Sequence, residues 1–129
     1  MTMSRFDRVE LQGVSKIIDR SSIRLYAAVT DDFNPIHVDP DFAATTPMRG
    51  IIAHGMLSLN LIWQSLRVTY GPDAQEGARL DVRFVRPVRE NDTVSSRGRI
   101  REGTAGVYDV VIENQHGEPV ISGTLTLPA

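Results

Sequence analysis

HGMLSLNLIWQSLRVTY, residues 54–70, is the stretch that decides the fold. Apolar side chains stand at Met56, Leu57, Leu59, Leu61, Ile62, Trp63, Leu66 and Val68, covering most of the circumference of a helix. A helix that is apolar nearly all round belongs inside a core. Asn60, Gln64 and Arg67 interrupt it too often for a membrane span of about 20 apolar residues, and Gly71-Pro72 stops it. One long central helix is therefore expected from His54 to about Tyr70.

The period changes beyond that helix. Leu80, Val82 and Phe84 alternate with Asp81, Arg83 and Val85, and Pro87 bends the strand's end or confines it to an edge. Residues 94–101 alternate more weakly, while 107–113 and 120–127 are rich in β-branched residues. Turns are expected at Glu90-Asn91-Asp92, Glu102-Gly103-Thr104 and Asn114-Gln115-His116-Gly117. The reading is roughly four antiparallel strands following the helix. Upstream, residues 8–13 suit a short opening strand. Ser21-Ser22 offers an N-cap for a helix through Ile23, Leu25, Tyr26, Ala27 and Ala28. That helix should fail near Thr30, because Asn34-Pro35 disfavours helical geometry before the proline. Asp39-Pro40-Asp41 starts a short helix carrying Phe42, Ala43 and Ala44. The fold class is α+β in a single domain, residues 1–129, with no repeat and no linker.

Composition narrows the function. The chain has 129 residues, 41% hydrophobic and 23% charged, with a net charge of −2, which is ordinary for a globular domain. Acids and bases are interspersed without a basic stripe, so no nucleic-acid partner is expected. There is no cysteine, which removes disulfides, thiol nucleophiles and cysteine-ligated metals. The first residues, MTMSRFDRVELQG, lack the apolar core of a signal peptide. A soluble, cytoplasmic protein with no membrane association is expected.

The chemistry concentrates ahead of the long helix. Residues 32–37 read Asp-Phe-Asn-Pro-Ile-His, a carboxylate, an amide and an imidazole with a proline stiffening the middle. These side chains suit holding one water and moving its proton. Fully extended, Asp32 and His37 would stand roughly 17 Å apart, but the Asn-Pro step favours a bend that lets them converge. Two of the chain's three histidines, His37 and His54, lie in these segments. His54-Gly55 opens the long helix, whose free N–H groups suit developing negative charge on an oxygen. Taken alone, each segment also reads as an ordinary turn or helix start.

The whole stretch YAAVTDDFNPIHVDPDFAATTPMRGIIAHGML, residues 26–57, resembles the hydratase-2 motif of the MaoC-like, (R)-specific enoyl-CoA hydratases. The resemblance extends to the helix after His-Gly and to Phe84-Val85-Arg86-Pro87-Val88; the last two strands match only in type. It implies a hot-dog fold, a bent antiparallel sheet wrapped around the long central helix. It also implies a homodimer whose sheets join, with the active site near the subunit interface. Carried over, the catalytic aspartate falls on Asp32, the histidine on His37, the positioning amide on Asn34, and the backbone N–H facing the thioester oxygen on Gly55. His54 is the motif histidine, given an orienting role at the substrate site. Tyr26, Phe33, Phe42 and Met56 all suit core packing first, with Phe33 and Met56 taken as the candidates for the acyl pocket. Relatives can carry a serine where this chain has Trp63, a bulk expected to shorten or reshape the acyl tunnel; Ser58, Asn60 and Ser65 are only approximate substitutes for that serine. Asn91-Asp92 replaces the usual Gly-Asp step, and asparagine tolerates the same left-handed turn.

The expected reaction is reversible hydration of a trans-2-enoyl thioester, with Asp32 and His37 gripping the water and the order of proton transfer open. Coenzyme A enters only as part of the substrate, its phosphates met by some of Arg49, Arg67, Arg83, Arg86 and Arg89. No cofactor is expected. No metal is expected either, since there is no His-x-x-x-His or Glu-x-x-His run. The alternatives are dehydration of a 3-hydroxyacyl group on acyl-carrier protein, and a non-catalytic acyl-thioester-binding subunit. A thioesterase fits the Asp-x-Asn-Pro-x-His spacing poorly.

Overall fold

Alternation along the last third of the chain maps directly onto a sheet. The computed structural model describes residues 6–128. Strands β3 (Arg79–Phe84), β4 (Thr93–Ile100), β5 (Val107–Glu113) and β6 (Pro119–Thr126) follow helix α4 (Gly55–Tyr70). A single 3₁₀ turn at Pro72–Gln75 joins helix to sheet, where Gly71-Pro72 ends the helical pattern. In β4, Val94, Ser96 and Gly98 are buried while Arg97 and Arg99 are exposed; in β5 the buried set is Tyr108, Val110 and Ile112. One face of the sheet is thus a continuous apolar surface, and α4 packs on it through β4 and β5. Leu59, Leu61, Ile62 and Leu66 of α4 join Val94, Tyr108, Ile112, Val120 and Leu125 in one core.

The strand order is β1-β4-β5-β6-β3, all antiparallel, with β1 (Glu10–Leu11) and β2 (Ser15–Ile17) both pairing β4. Strand β3 therefore has β6 on one side and an open edge on the other among the described residues. Gly123 lies opposite Val82 in the β6–β3 pair. A Cβ at that position would stand 2.0 Å from the Asp81 carbonyl oxygen, so the strands approach this closely only because the residue is glycine.

Two details of the N-terminal region differ from expectation. Helix α1 (Arg20–Thr30) is capped by Asp19, whose carboxylate accepts from the Ser22 N–H, and not by Ser21 or Ser22. That hydrogen bond, the largest of several, holds the Asp19 carboxyl below its usual range. The Asn34-Pro35 step is also more than a bend: it starts a short helix α2 (Pro35–Val38), with proline in the first turn and Asn34 Oδ1 accepting from Ile36 N–H at 3.2 Å. Asp39 caps the next one, α3 (Pro40–Ala44).

Polar groups at the C-terminal half of α4 close on partners. The Val14 N–H donates to Ser96 Oγ at 3.0 Å, Ser96 Oγ donates to the Val14 carbonyl, and Ser65 Oγ completes the set. Arg8 N–H donates to Tyr70 Oη at 2.8 Å, Tyr70 pairs with Tyr108, and Tyr108 donates back to the Arg8 carbonyl. These bonds pin the N-terminal strand segment to both helix and sheet.

Candidate active site

The site is assembled by three segments that meet at the N-terminus of α4. First is the exit from α1. Asp31 takes the left-handed conformation at φ 54°, and its N–H closes on the Ala27 carbonyl. This turns the chain so that Asp32 follows, with half of its side chain exposed. Asp32 Oδ1 accepts from Asn34 N–H at 3.3 Å, an Asx turn that orients the carboxylate. Asn34 in turn caps α2, the helix that carries His37, so its amide oxygen acts on the imidazole through the backbone.

The second segment is the extended run 51–53. Ala53 N–H donates to the Val88 carbonyl at 2.8 Å, Glu90 N–H to Ile51, and Ile52 N–H to Ile36. The Ile52 carbonyl lies 2.7 Å from His37 Nδ1. A carbonyl can only accept, so Nδ1 carries the proton and the neutral ring presents its lone pair at Nε2. The third segment is the helix start itself. His54 is 4% exposed, and its Nε2 lies 3.0 Å from the Asp32 carbonyl, which makes Nε2 the protonated nitrogen by the same reasoning. His54 thereby ties the Asp32 turn to α4. Its ring stacks on His37 with centroids 3.9 Å apart and planes at 28°, and Tyr26 lies 5.0 Å away on a tilted plane. Nδ1 of His54 is buried without a partner.

Asp32, His37 and His54 offer ligand-type atoms that all lie within 4.8 Å of one another. Asp32 and His37 come from the run 32–37 whose bend was expected to bring them together, and His54 joins them from the separate segment that opens α4. One ion bound by both rings would have to lie near both ring planes, about 2 Å from each nitrogen. The planes are nearly parallel and stacked, so their lone pairs run alongside each other and do not converge. His37 Nδ1 and His54 Nε2 are also committed to carbonyls. The arrangement suits a shared water and an anchored loop better than a metal ion.

A cavity of about 530 Å³ opens beside His37, with Gly55, Ser58, Ile52, Phe84 and Val88 in its wall; Asp32, Asn34 and His54 are not among its lining residues. The lining is mostly apolar, as an acyl chain requires. Gly55 is the first residue of α4, and a Cβ there would stand 2.7 Å and 2.9 Å from ring carbons of Phe84. Met56 is in the wall, half exposed; Phe33 is exposed and outside it. Trp63, expected at an acyl tunnel, instead packs half-buried against the core and is not among the lining residues. Arg86 belongs to this wall and, with Arg89, to an adjoining cavity of about 320 Å³; Arg49, Arg67 and Arg83 line neither. Asn91 has φ 72°, the left-handed turn anticipated for it.

Sequence reasoning passed over Ser58 as only an approximate stand-in for a serine seen in relatives. It is fully buried, lines the cavity, and its hydroxyl has no hydrogen-bond partner. A buried hydroxyl left unsatisfied costs about 1–3 kcal/mol.

Comparison with known proteins points one way. The family model described as a MaoC-like domain matches residues 4–118. An (R)-specific enoyl-CoA hydratase of Rhodospirillum rubrum is 37% identical over 84 residues, which cover 65% of this chain and 58% of that protein. A 3-hydroxyacyl-thioester dehydratase of Mycobacterium tuberculosis is 34% identical over 84% of this chain but only 36% of its own length. The chain thus spans little more than half, or less, of these curated relatives. Among solved structures, an R-hydratase of Pseudomonas aeruginosa superimposes with a TM-score of 0.81 at 31% identity, covering 93% of this chain and 79% of that one. The R-hydratase of Aeromonas caviae gives 0.74 at 29% identity, over 92% and 94%. The antiparallel sheet around one central helix is the hot-dog fold of these structures.

Proposed function

This chain belongs to the MaoC-like domain family, and on that premise we propose that it catalyses the (R)-specific hydration of trans-2-enoyl-CoA to (R)-3-hydroxyacyl-CoA, with the reverse dehydration. The observation that carries the reading is the convergence of Asp32 and His37, ligand atoms within 4.8 Å, beside the N-terminus of α4. One water bridges groups at such a separation.

The water is held between the Asp32 carboxylate and His37 Nε2. Its oxygen bonds to C3 of the enoyl group and its proton passes to the pair. The C2=C3 electrons move toward the thioester, and charge builds on the carbonyl oxygen facing the Gly55 N–H. One preorganised donor of this kind lowers the barrier by about 3 kcal/mol. The enolate then takes a proton at C2 from the same pair, so that H and OH have been added across the double bond. His54 keeps the Asp32 turn against α4 throughout. Arg86, in the cavity wall and ion-paired with Glu118, and Arg89, in the adjoining cavity, are the guanidiniums that would meet the phosphates of coenzyme A. Half-exposed Met56, Phe84 and Val85 in the cavity wall, and the edge of β3 that is unpaired among the described residues, support a homodimer in which a second copy covers this face. A reducing compartment suits a chain without cysteine, and the cytoplasm is the proposed location.

Purified protein given crotonyl-CoA or hexenoyl-CoA should bleach the enoyl-thioester absorbance. Asp32→Asn and His37→Ala should each lower kcat at least about a hundredfold, roughly 2.7 kcal/mol, with melting temperature unchanged. Near-full rates in both variants would end the hydratase reading. Parallel assays with the same acyl groups on acyl-carrier protein decide between the two carriers.

A further inference from the structure

Helical serines and threonines in apolar surroundings usually satisfy their hydroxyls on a carbonyl three or four residues back. Thr69 does so within α4, donating to the Ser65 carbonyl at 2.6 Å. Ser58, in the first half of the same helix, does not: it is 0% exposed and its Oγ has no partner. Alanine would fill nearly the same space without an unsatisfied group. The hydroxyl therefore makes no hydrogen bond that holds the fold, and it stands in the cavity wall with Gly55 and His37.

We propose that Ser58 is a further catalytic residue, donating a second hydrogen bond, beside that of the Gly55 N–H, to the thioester carbonyl oxygen. The inference rests on the hydration reading above. Three residues along a helix advance about 4.5 Å and return to nearly the same face. Side chains lean toward the helix N-terminus, which carries the Ser58 hydroxyl back toward the Gly55 end. The wall around it is otherwise made of Ile52, Val88, Ile121 and similar side chains. A plain enoyl chain lying there has one acceptor near the reacting carbons, its carbonyl oxygen. That oxygen gains charge as water adds, so a donor aimed at it binds the transition state more tightly than the substrate.

Ser58→Ala and Ser58→Thr test this with crotonyl-CoA. Ser58→Ala should lower kcat 10- to 100-fold with KM changed less than threefold, while Ser58→Thr, which keeps the hydroxyl, recovers most of the rate. The melting temperature of unliganded Ser58→Ala should equal or exceed that of the parent, since no protein bond is lost. A lower one would mean the hydroxyl has a protein partner, which overturns the proposal. The infrared carbonyl band of crotonyl-CoA bound to the Asp32→Asn protein should move to lower wavenumber, and less so when Ser58→Ala is added. An unchanged band with kcat within twofold of the parent also overturns it. If no thioester is hydrated at all, the hydratase reading falls by itself, and the carbonyl band of the bound thioester still decides the contact of Ser58.

Discussion

The two ends of helix α4 handle buried polar groups in opposite ways. At the C-terminal half, Ser65, Thr69 and Tyr70 close on Ser96, Gln12, Arg8 and Tyr108, and every hydroxyl there has a partner. At the N-terminal end, His54 Nδ1 and Ser58 Oγ are buried and unpartnered, the two such side-chain atoms among the described residues. Buried polar groups in folded proteins are nearly always satisfied, so two exceptions within one helical turn mark a place organised for something other than stability. One end of the helix is built to hold the fold and the other to meet a ligand.

The difference is broken most forcefully by variants that separate rate from stability. Asp32→Asn and His37→Ala, at the N-terminal end, should lose the hundredfold or more argued above while melting within about 3 °C of the parent. Ser96→Ala, at the other end, should do the reverse. It strands the Val14 N–H and leaves Ser65 without its partner, while the Val14 carbonyl keeps the Ser96 backbone N–H, a loss of about 2 kcal/mol by chemical denaturation, with kcat within twofold. An Ser96→Ala protein that keeps its stability but loses activity would erase the division of labour.

The division was only partly legible in the sequence. Helix α4 was visible because its apolar positions are too many for any surface helix; β3 and, more weakly, β4 because their residues alternate; and β5 and β6 because they are rich in β-branched residues. Strand β2 was not: three residues, Ser-Lys-Ile, carry no period, and what makes them a strand is the ladder to β4. Helix α2 hid inside a step whose residues favour turns equally well; Asn34, Pro35 and Asp39 together make it a capped helix. At the site, residue types and order were readable, and the resemblance supplied their roles. The stacking of His37 on His54 and the bond from His37 Nδ1 to the Ile52 carbonyl are tertiary contacts between segments, which no local pattern encodes. Ser58 could be seen as a serine in an apolar helix, but its lack of a partner is a property of the packed structure.

A smaller effect is expected from pH at the C-terminal end. Burial above all, and then the bond with Tyr70, pushes the Tyr108 phenol well above its ordinary value of 10.0. Its folded value is raised, so its contribution is fully present below the unfolded value and is lost as pH climbs toward the folded one. Between about pH 10 and 12 the unfolded chain releases this proton while the folded chain keeps it, and stability falls by at most about 1.4 kcal/mol per pH unit. Denaturation midpoints across that range should drop in the parent protein. Tyr108→Phe should start about 1 kcal/mol lower at neutral pH and fall less steeply. Equal slopes would mean that the closed ring of hydroxyls at this end is not what resists ionisation.

The smallest stability change belongs to the N-terminal end, at Gly55. Alanine there meets the Phe84 ring carbons at 2.7 Å and 2.9 Å. That ring is 54% exposed, so it can swing outward, and alanine's better helix propensity offsets the displacement to within about 1 kcal/mol. Phe84 is also part of the cavity wall, so the swing moves the surface that faces the acyl group, and kcat/KM should fall while the melting temperature barely changes. Were Gly55→Ala to unfold the protein as readily as a core overpacking mutation, the ring would be locked in place, and the N-terminal end would be as tightly determined as the end that holds Tyr108.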